Sequence, residues 1–304
     1  MLVLHFQLGT IGLMMALACQ FIILALVLSI IALKKFGLKI KIKSLKITLL
    51  EGISNFPTKF STVLQYFGTI SILALFLIPQ EDIAGFTIAY GFIVFISVIP
   101  ARLALLAIPS SIEQKRDLSA SSATWSMALA IPIITVMFIS PNLVLSIYTD
   151  SYTKYDVLLA ILTISVIPFI LKTNVVAKLN NDDSLRKITL LGTVEMSIFL
   201  ISIMILIPSM GVIGSAWAIA IASISTGILS LYFATNIMRK IFFISVLTLI
   251  TGVVTGILAG QIIDNRFVVT VIAFGISTGS LFVFKLIRFS DVLLILDQIR
   301  NKNK

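Results

Sequence analysis

Residues 241–262 read IFFISVLTLITGVVTGILAGQI, an unbroken run without a charged side chain. A run of about 18 or more apolar residues predicts a helix that can cross the hydrocarbon core of a bilayer. Similar runs recur along the 304-residue chain, in which 59% of residues are hydrophobic and only 12% are charged. Soluble domains average about 45–50% apolar and about 25% charged residues, so this composition excludes a water-soluble protein.

Nine runs of this kind are present, and each is long enough to span about 30 Å as a helix. Transmembrane β-strands would instead alternate in polarity over about ten residues. The sequence therefore predicts an all-α polytopic membrane protein whose spans are roughly 8–33, 47–78, 83–108, 122–147, 157–178, 187–207, 211–236, 241–262 and 267–287.

The positive residues predict the orientation of the chain. Eighteen Lys and Arg residues lie in every second loop and in the C-terminal tail, whereas the opposite loops contain two, Lys154 and Arg266. Because cytoplasmic loops are rich in Lys and Arg, this bias places the N-terminus outside and the C-terminus in the cytoplasm. We expect a multi-pass protein of the cytoplasmic membrane.

The net charge of +10 comes from short loops between spans. Anionic membrane lipids are therefore the expected electrostatic partner, and nucleic acid is not. Residues 34–47 and 288–300 mix basic and apolar side chains, and each is either an interfacial amphipathic segment or a solvated linker or tail.

The sequence lacks the motifs of metal sites and of nucleotide-binding loops. The single cysteine, Cys19, cannot form a disulfide within the chain, and with the single histidine, His5, it does not provide a His/Cys metal site. No GxxxxGK[ST] or HExxH motif occurs. We therefore predict no cofactor, no bound metal and no enzymatic activity.

The second predicted span contains a polar stripe at helical spacing. Its members are Glu51, Asn55, Lys59, Thr62 and Tyr66, with Thr58, Gln65 and Thr69 beside them, and Pro57 is expected to kink the helix. A lysine at membrane depth costs about 2.5–3.5 kcal/mol, so Lys59 is expected to face a cavity or the protein interior. The stripe is either a cavity wall that contacts an anionic substrate through Asn55, Lys59, Gln65 and Tyr66, or an internal pair of Lys59 with Glu51 or a carbonyl.

Three further charged residues fall inside predicted spans. Lys172 and Arg102 are candidate contacts for an anionic substrate, since arginine can bind a phosphate through two parallel hydrogen bonds. Both lie near the cytoplasmic ends of their spans, so snorkelling to the interface is the alternative. Glu195 is a candidate ion-coupling site together with Glu51, or a partner for a basic residue, or a protonated and inert carboxyl.

Three segments, taken in order, resemble a known family. LLAIPSSIEQKRD at 105–117, SPNLVLSIYTDSYTKYD at 140–156 and IPSMGVIGSAWAIA at 207–220 look like a lobe-helix end, an outer loop and a glycine turn of polysaccharide flippases. These are the O-antigen exporters of the multidrug/oligosaccharidyl-lipid/polysaccharide (MOP) superfamily. The resemblance covers roughly residues 8–240.

The resemblance implies a MOP-like C-terminal lobe and a domain organisation. Residues 1–46 would be the last helix of an N-terminal lobe with a basic linker, 47–240 a six-helix lobe, and 241–304 two extra helices with an amphipathic tail. About five N-terminal helices of the family plan would be missing, which independently places the N-terminus outside. Alternating access needs two lobes that rock against each other. Either Met1 is therefore not the true start, or a second chain supplies the missing lobe, or the single lobe is a relic.

The resemblance also implies an activity: flipping of a lipid-linked anionic oligosaccharide or polysaccharide precursor by alternating access, with a cationic cavity that would include Lys59, Arg102 and Lys172. A cation-coupled, MATE-like drug or metabolite exporter is the alternative within the superfamily, and basic residues outnumber Glu51 and Glu195 in the spans. An inactive truncated lobe is another alternative. A membrane glycosyltransferase or polymerase is disfavoured, because only Glu81 and Asp82 pair on the outer face.

Overall fold

The computed structural model describes residues 42–114 and 119–287, together with isolated positions 23, 26, 27, 30, 31 and 34. Within these ranges, side chains are described for residues 49–50, 52–106 and 119–287. The predicted span 8–33 as a whole, the predicted interfacial segment 288–300 and the side chain of Glu51 lie outside this description. The chain divides into two compact units, residues 1–52 and 53–304.

Helices make up nearly all of the described ranges, which contain no strand. Residues 42–75 form a continuous helical segment, called the first helix, which passes through a π-helical turn at Leu64–Gly68. A 3-10 turn, Asp150–Tyr155, precedes the central helices. The α-helices are α1 Ile42–Val63, α2 Thr69–Leu75, α3 Gln80–Gln114, α4 Ser119–Ile139, α5 Pro141–Ser146, α6 Asp156–Ile164, α7 Val166–Asn181, α8 Leu185–Met210, α9 Val212–Phe233, α10 Asn236–Ile262 and α11 Arg266–Val283.

Seven helical segments of the described residues are long and apolar enough to cross a membrane: Gln80–Leu106, Ser119–Ile139, Asp150–Asn181, Leu185–Met210, Val212–Phe233, Asn236–Ile262 and Arg266–Val283. They correspond one for one to the third through ninth predicted spans, and they confirm an all-α polytopic membrane protein. The second predicted span, 47–78, is helical to Leu75 but is not among the seven. Its polar stripe makes it less apolar than the others.

The fourth predicted span, 122–147, ends earlier than expected. Helix α4 stops at Ile139, and Ser140 leaves the helical region with φ of −130°. The cause is Pro141, because proline disfavours the helical conformation in the residue before it and lacks an N–H to continue the ladder. Ser140 then donates to or accepts from Thr270 across 2.6 Å between hydroxyl oxygens, which ties this turn to α11.

Contacts define two ends of the unit 53–304. Gly211 lies beside Ile78, and Lys154 bonds Glu81 at 2.6 Å between Nζ and Oε1. We call this the upper end. At the opposite, lower end, Arg239 donates to the carbonyl oxygens of Leu231 and Tyr232 at 2.8 and 3.1 Å. A positive side chain that binds the last carbonyls of a helix, here α9, stabilises that terminus.

Helices α6 and α7 form the centre of the unit. They are separated by a bend at Ser165, three residues before Pro168, and α7 packs against α3, α4 and α9. Helices α10 and α11 pack against α4.

Small residues allow close approach at several of these contacts, as membrane helix packing favours. A Cβ on Gly227 of α9 would lie 2.7 Å from a side-chain atom of Pro168. A Cβ on Gly214 would lie 2.3 Å from the carbonyl oxygen of Leu206.

Candidate functional site

A buried ion pair lies between α7 and α8. Nζ of Lys172 is 2.7 Å from Oε1 and 2.8 Å from Oε2 of Glu195, and the two side chains are only 3% and 1% exposed. Among the described residues these are the only charged side chains that are buried. The ammonium therefore does not snorkel to the interface, and Glu195 is the partner of a basic residue, which was one of the alternatives for that carboxyl.

The pair lies deep in the bundle. Lys172 is sixteen residues from the upper start of α6, and Glu195 is fifteen residues from the upper end of α8. At 1.5 Å per residue these positions are about 24 and 22 Å below the upper ends. A hydrocarbon core is about 30 Å thick, so both groups lie within it if the upper ends mark its boundary.

Neighbouring side chains complete the surroundings of the pair. Nζ of Lys172 lies 4.9 Å from the ring centroid of Phe169, a cation–π geometry. Asn174, also buried, accepts a hydrogen bond from Oγ of Ser122 at 2.8 Å and donates to the carbonyl of Ile170. The side-chain amide of Asn174 is thus satisfied, as buried polar groups require.

A cavity adjoins the pair. It encloses about 160 Å³ between the π-helical turn, α3, α7 and α9, and its polar side chains include Gln65, Tyr90, Ser165 and Ser223. The ring of Phe169 lines the cavity on one side and contacts Lys172 on the other. Tyr90 also interacts electrostatically with Glu195. We call this space the inner cavity; Phe169 borders both this space and the buried ammonium.

The buried face of the first helix differs from the face that the polar stripe predicted. Its buried side chains are Thr58, Ser61, Gln65 and Thr69, whereas Lys59 is exposed. Lys59 therefore does not face the interior of this unit, and its place on a cavity wall stays a prediction. The physical reason is that Thr58 donates to the carbonyl of Ile188 at 3.2 Å, and α8 approaches so closely at Gly192 that the neighbouring face must be inside.

Other members of the stripe lie along the margin of the buried face. Asn55 is half-buried and donates to Oδ1 of Asn180 at 3.2 Å, which joins α1 to α7. Tyr66 is half-buried and stacks on Tyr90, with ring centroids 5.3 Å apart. Of the predicted substrate-binding residues, only Gln65 and Lys172 thus lie at or directly behind the inner cavity. Their roles in substrate binding stay predictions.

Arg102 is exposed. It lies twenty-two residues after the start of α3, about 33 Å below the upper end and so beyond the depth of the hydrocarbon core. This position fits the snorkelling alternative better than a phosphate contact within a cavity.

Several residues of the site were not predicted, among them Tyr90, Phe169 and Ser223. Nothing in the pattern of an apolar span distinguishes them. The pairing of Lys172 with Glu195 did carry a signal, because residues 182–184 join α7 to α8 and the two charges lie nine and ten residues from the facing helix ends. Equal distances from a short turn place two residues side by side in a helical hairpin.

Comparison with known protein families, with curated proteins and with solved structures finds no match to this chain.

Proposed function

We propose that this protein is a transporter that moves a lipid-linked anionic glycan across the cytoplasmic membrane. The observation that carries the proposal is the Lys172–Glu195 pair, buried at membrane depth beside the inner cavity. Ionisable groups inside the membrane are costly and are found along substrate and ion pathways.

The ion pair also supports an anionic cargo. The Glu195 carboxylate sits on the Lys172 ammonium through both oxygens, an arrangement that a phosphate oxygen pair could replace. Glu195 would then hold the place of the substrate's anion in the empty transporter. Because Phe169 lines the inner cavity and contacts this ammonium, a turn of its side chain would bring the two closer together.

Alternating access requires two bodies that rock around a central site. The proposal therefore includes a second helical body as a partner, and anionic lipids at the lower end, where Arg186, Lys187 and Lys240 are exposed. In this proposal the lower end faces the cytoplasm.

A double substitution tests the proposal without leaving an unpaired charge. Replacing a buried ion pair by apolar residues of similar size is often neutral for stability. We expect Lys172→Met combined with Glu195→Leu to keep the fold and to lose transport of a fluorescent oligosaccharide linked to a lipid diphosphate. The assay uses vesicles from host membranes in which the variant replaces the native chain, so that any partner is retained.

The matched control removes the exposed pair Lys154–Glu81 by Lys154→Met with Glu81→Leu. We expect this control to transport at the parental rate. Parental transport in the Lys172/Glu195 double variant, or transport of a cationic amphiphile in place of the glycan lipid, contradicts the proposed function.

A further inference from the structure

A second cavity opens between the first helix and α3. It has a volume of about 360 Å³, and its lining includes Val63, Tyr66, Phe67, Gly91 and Val94. We call it the side groove. Tyr66 is nine residues from the end of α2 and Gly91 is eleven from the start of α3, which places the groove about 14–16 Å below the upper end, near the middle of a bilayer.

Local backbone geometry shapes the side groove. The π-helical turn Leu64–Gly68 turns Gln65 inward and leaves Phe67 exposed at the groove. Such π-bulges inside α-helices are frequent at functional sites. On the facing helix, Gly91 contributes no side chain, and Tyr90 stacks between Tyr66 and Phe86 with centroid distances of 5.3 and 5.6 Å. The aromatic stack forms one firm wall, and the glycine keeps the space open.

The chemistry of the groove fits a hydrocarbon chain. None of its lining residues is charged, and its polar groups are hydroxyls of Thr62, Tyr66 and Tyr90. At mid-bilayer depth the surroundings supply hydrocarbon and no water. An occupant with a charged or strongly polar group at this position would be left without hydrogen-bond partners.

The side groove adjoins the inner cavity. Thr62, Tyr90 and Val94 line both spaces. A molecule with an anionic group beside Lys172 and a long apolar chain could therefore occupy both at once, with its chain leaving the protein between α3 and the first helix. An ordinary phospholipid keeps its headgroup at the interface, so it could place only the middle of a chain here.

We propose that the side groove binds the hydrocarbon chain of the lipid-linked substrate while its anionic group enters the inner cavity. This inference rests on the proposed function, and it assigns the apolar half of the substrate to a defined place. It makes Gly91 a residue that determines whether the chain can bind.

A substitution at Gly91 tests whether the side groove binds the chain. A Cβ built on this residue meets no atom within 4 Å, so the side chain of Gly91→Leu begins in open space at the groove. Gly275 in α11 is also helical, exposed and free of atoms within 4 Å of a built Cβ, and Gly275→Leu is the matched control. Both substitutions raise helix propensity to the same degree, so they differ only in the groove.

The experiment measures photolabelling of the full chain in phosphatidylcholine nanodiscs. The probe is a long-chain isoprenyl phosphate with a diazirine in its chain, and labelled peptides are identified by mass spectrometry. We expect labelling of the segments that contain Phe67 and Val94. We expect Gly91→Leu to raise the probe concentration for half-maximal labelling by about ten-fold, the effect of losing burial of about two methylene groups, and Gly275→Leu to leave it unchanged.

Two results overturn the inference: equal labelling of Gly91→Leu and Gly275→Leu, or equal labelling of these segments by a phosphatidylcholine that carries the diazirine in an acyl chain. An isoprenol without the phosphate separates this inference from the proposed function. If the alcohol labels the groove in a Gly91-dependent way but the glycan lipid is not transported, the groove assignment stands and the proposed function fails. If transport succeeds and the groove is not labelled, the groove assignment alone fails.

Discussion

Removing one partner of the Lys172–Glu195 pair should destabilise the protein strongly. In Lys172→Met, the Glu195 carboxylate would remain 1% exposed with no counter-ion. Breaking a buried ion pair by removing one partner costs about 3–5 kcal/mol, whereas replacing both partners by apolar residues is often neutral or stabilising. We therefore expect each single variant, Lys172→Met and Glu195→Leu, to lose about 3–5 kcal/mol, and the double variant to lose less than either.

The assay is equilibrium unfolding of the purified chain by dodecyl sulfate in mixed micelles. Trp125 and Trp217, the two tryptophans of the sequence, lie partly buried in α4 and α9 and report the transition. A double-mutant cycle over the four proteins isolates the coupling between the two side chains.

Lys59 provides the matched control for this measurement. It is sixteen residues before the end of α2, so it lies about 24 Å below the upper end, the same depth as Lys172, but it is exposed. We expect Lys59→Met to change stability by no more than about 0.5 kcal/mol. Single variants at Lys172 and Glu195 that cost no more than this control, or a cycle without coupling, would refute a buried and unsolvated pair.

Two further substitutions test helix contacts. Gly192→Ala should destabilise the protein by about 1–3 kcal/mol, because its Cβ would lie 2.3 Å from the backbone nitrogen of Thr58. In the same unfolding assay, the control Gly275→Ala should be unchanged or more stable. Equal stability changes in the two variants would disprove close contact of α1 with α8. Arg239→Ala should lower the free energy of unfolding by about 1–3 kcal/mol, because the hydrogen bonds to the end of α9 are lost. The control Lys240→Ala, at the exposed neighbouring residue, should have little effect. Similar changes in both variants would contradict a capping role for Arg239.

Much of the fold could be predicted from the sequence because membrane insertion depends on composition over long windows. The run at 241–262 lies almost entirely within α10, Asn236–Ile262, and the other six matched spans are also recovered to within a few residues at most ends. The largest error, at the end of α4, arises because residues 140–147 are as apolar as a span and only Pro141 marks the break. Hydropathy measures transfer into lipid and does not detect where a backbone turns.

The site was harder to predict, since burial depends on which face of a helix meets its neighbours. Successive residues of a helix point about 100° apart, so Thr58 and Lys59 belong to the same polar region but to different faces. The sequence contains the stripe, yet the inward edge is set by Gly192 and the carbonyl of Ile188, more than a hundred residues away. The helical spacing of polar residues can locate a polar face, but it cannot identify the helix that buries that face.

The contrast between Lys59 and Lys172 bears directly on function. At about 24 Å below the upper ends, each ammonium is a short distance from the far boundary of a core about 30 Å thick, within reach of a flexible four-carbon stem. Exposed Lys59 has that route available. Lys172 instead points into the bundle and is neutralised by a second costly charge, Glu195, on another helix. Stability alone does not require this arrangement, because an apolar pair would serve as well. A charge that could reach water but is held beside the inner cavity is what a transporter of anions needs, and the double variant decides whether that is its use.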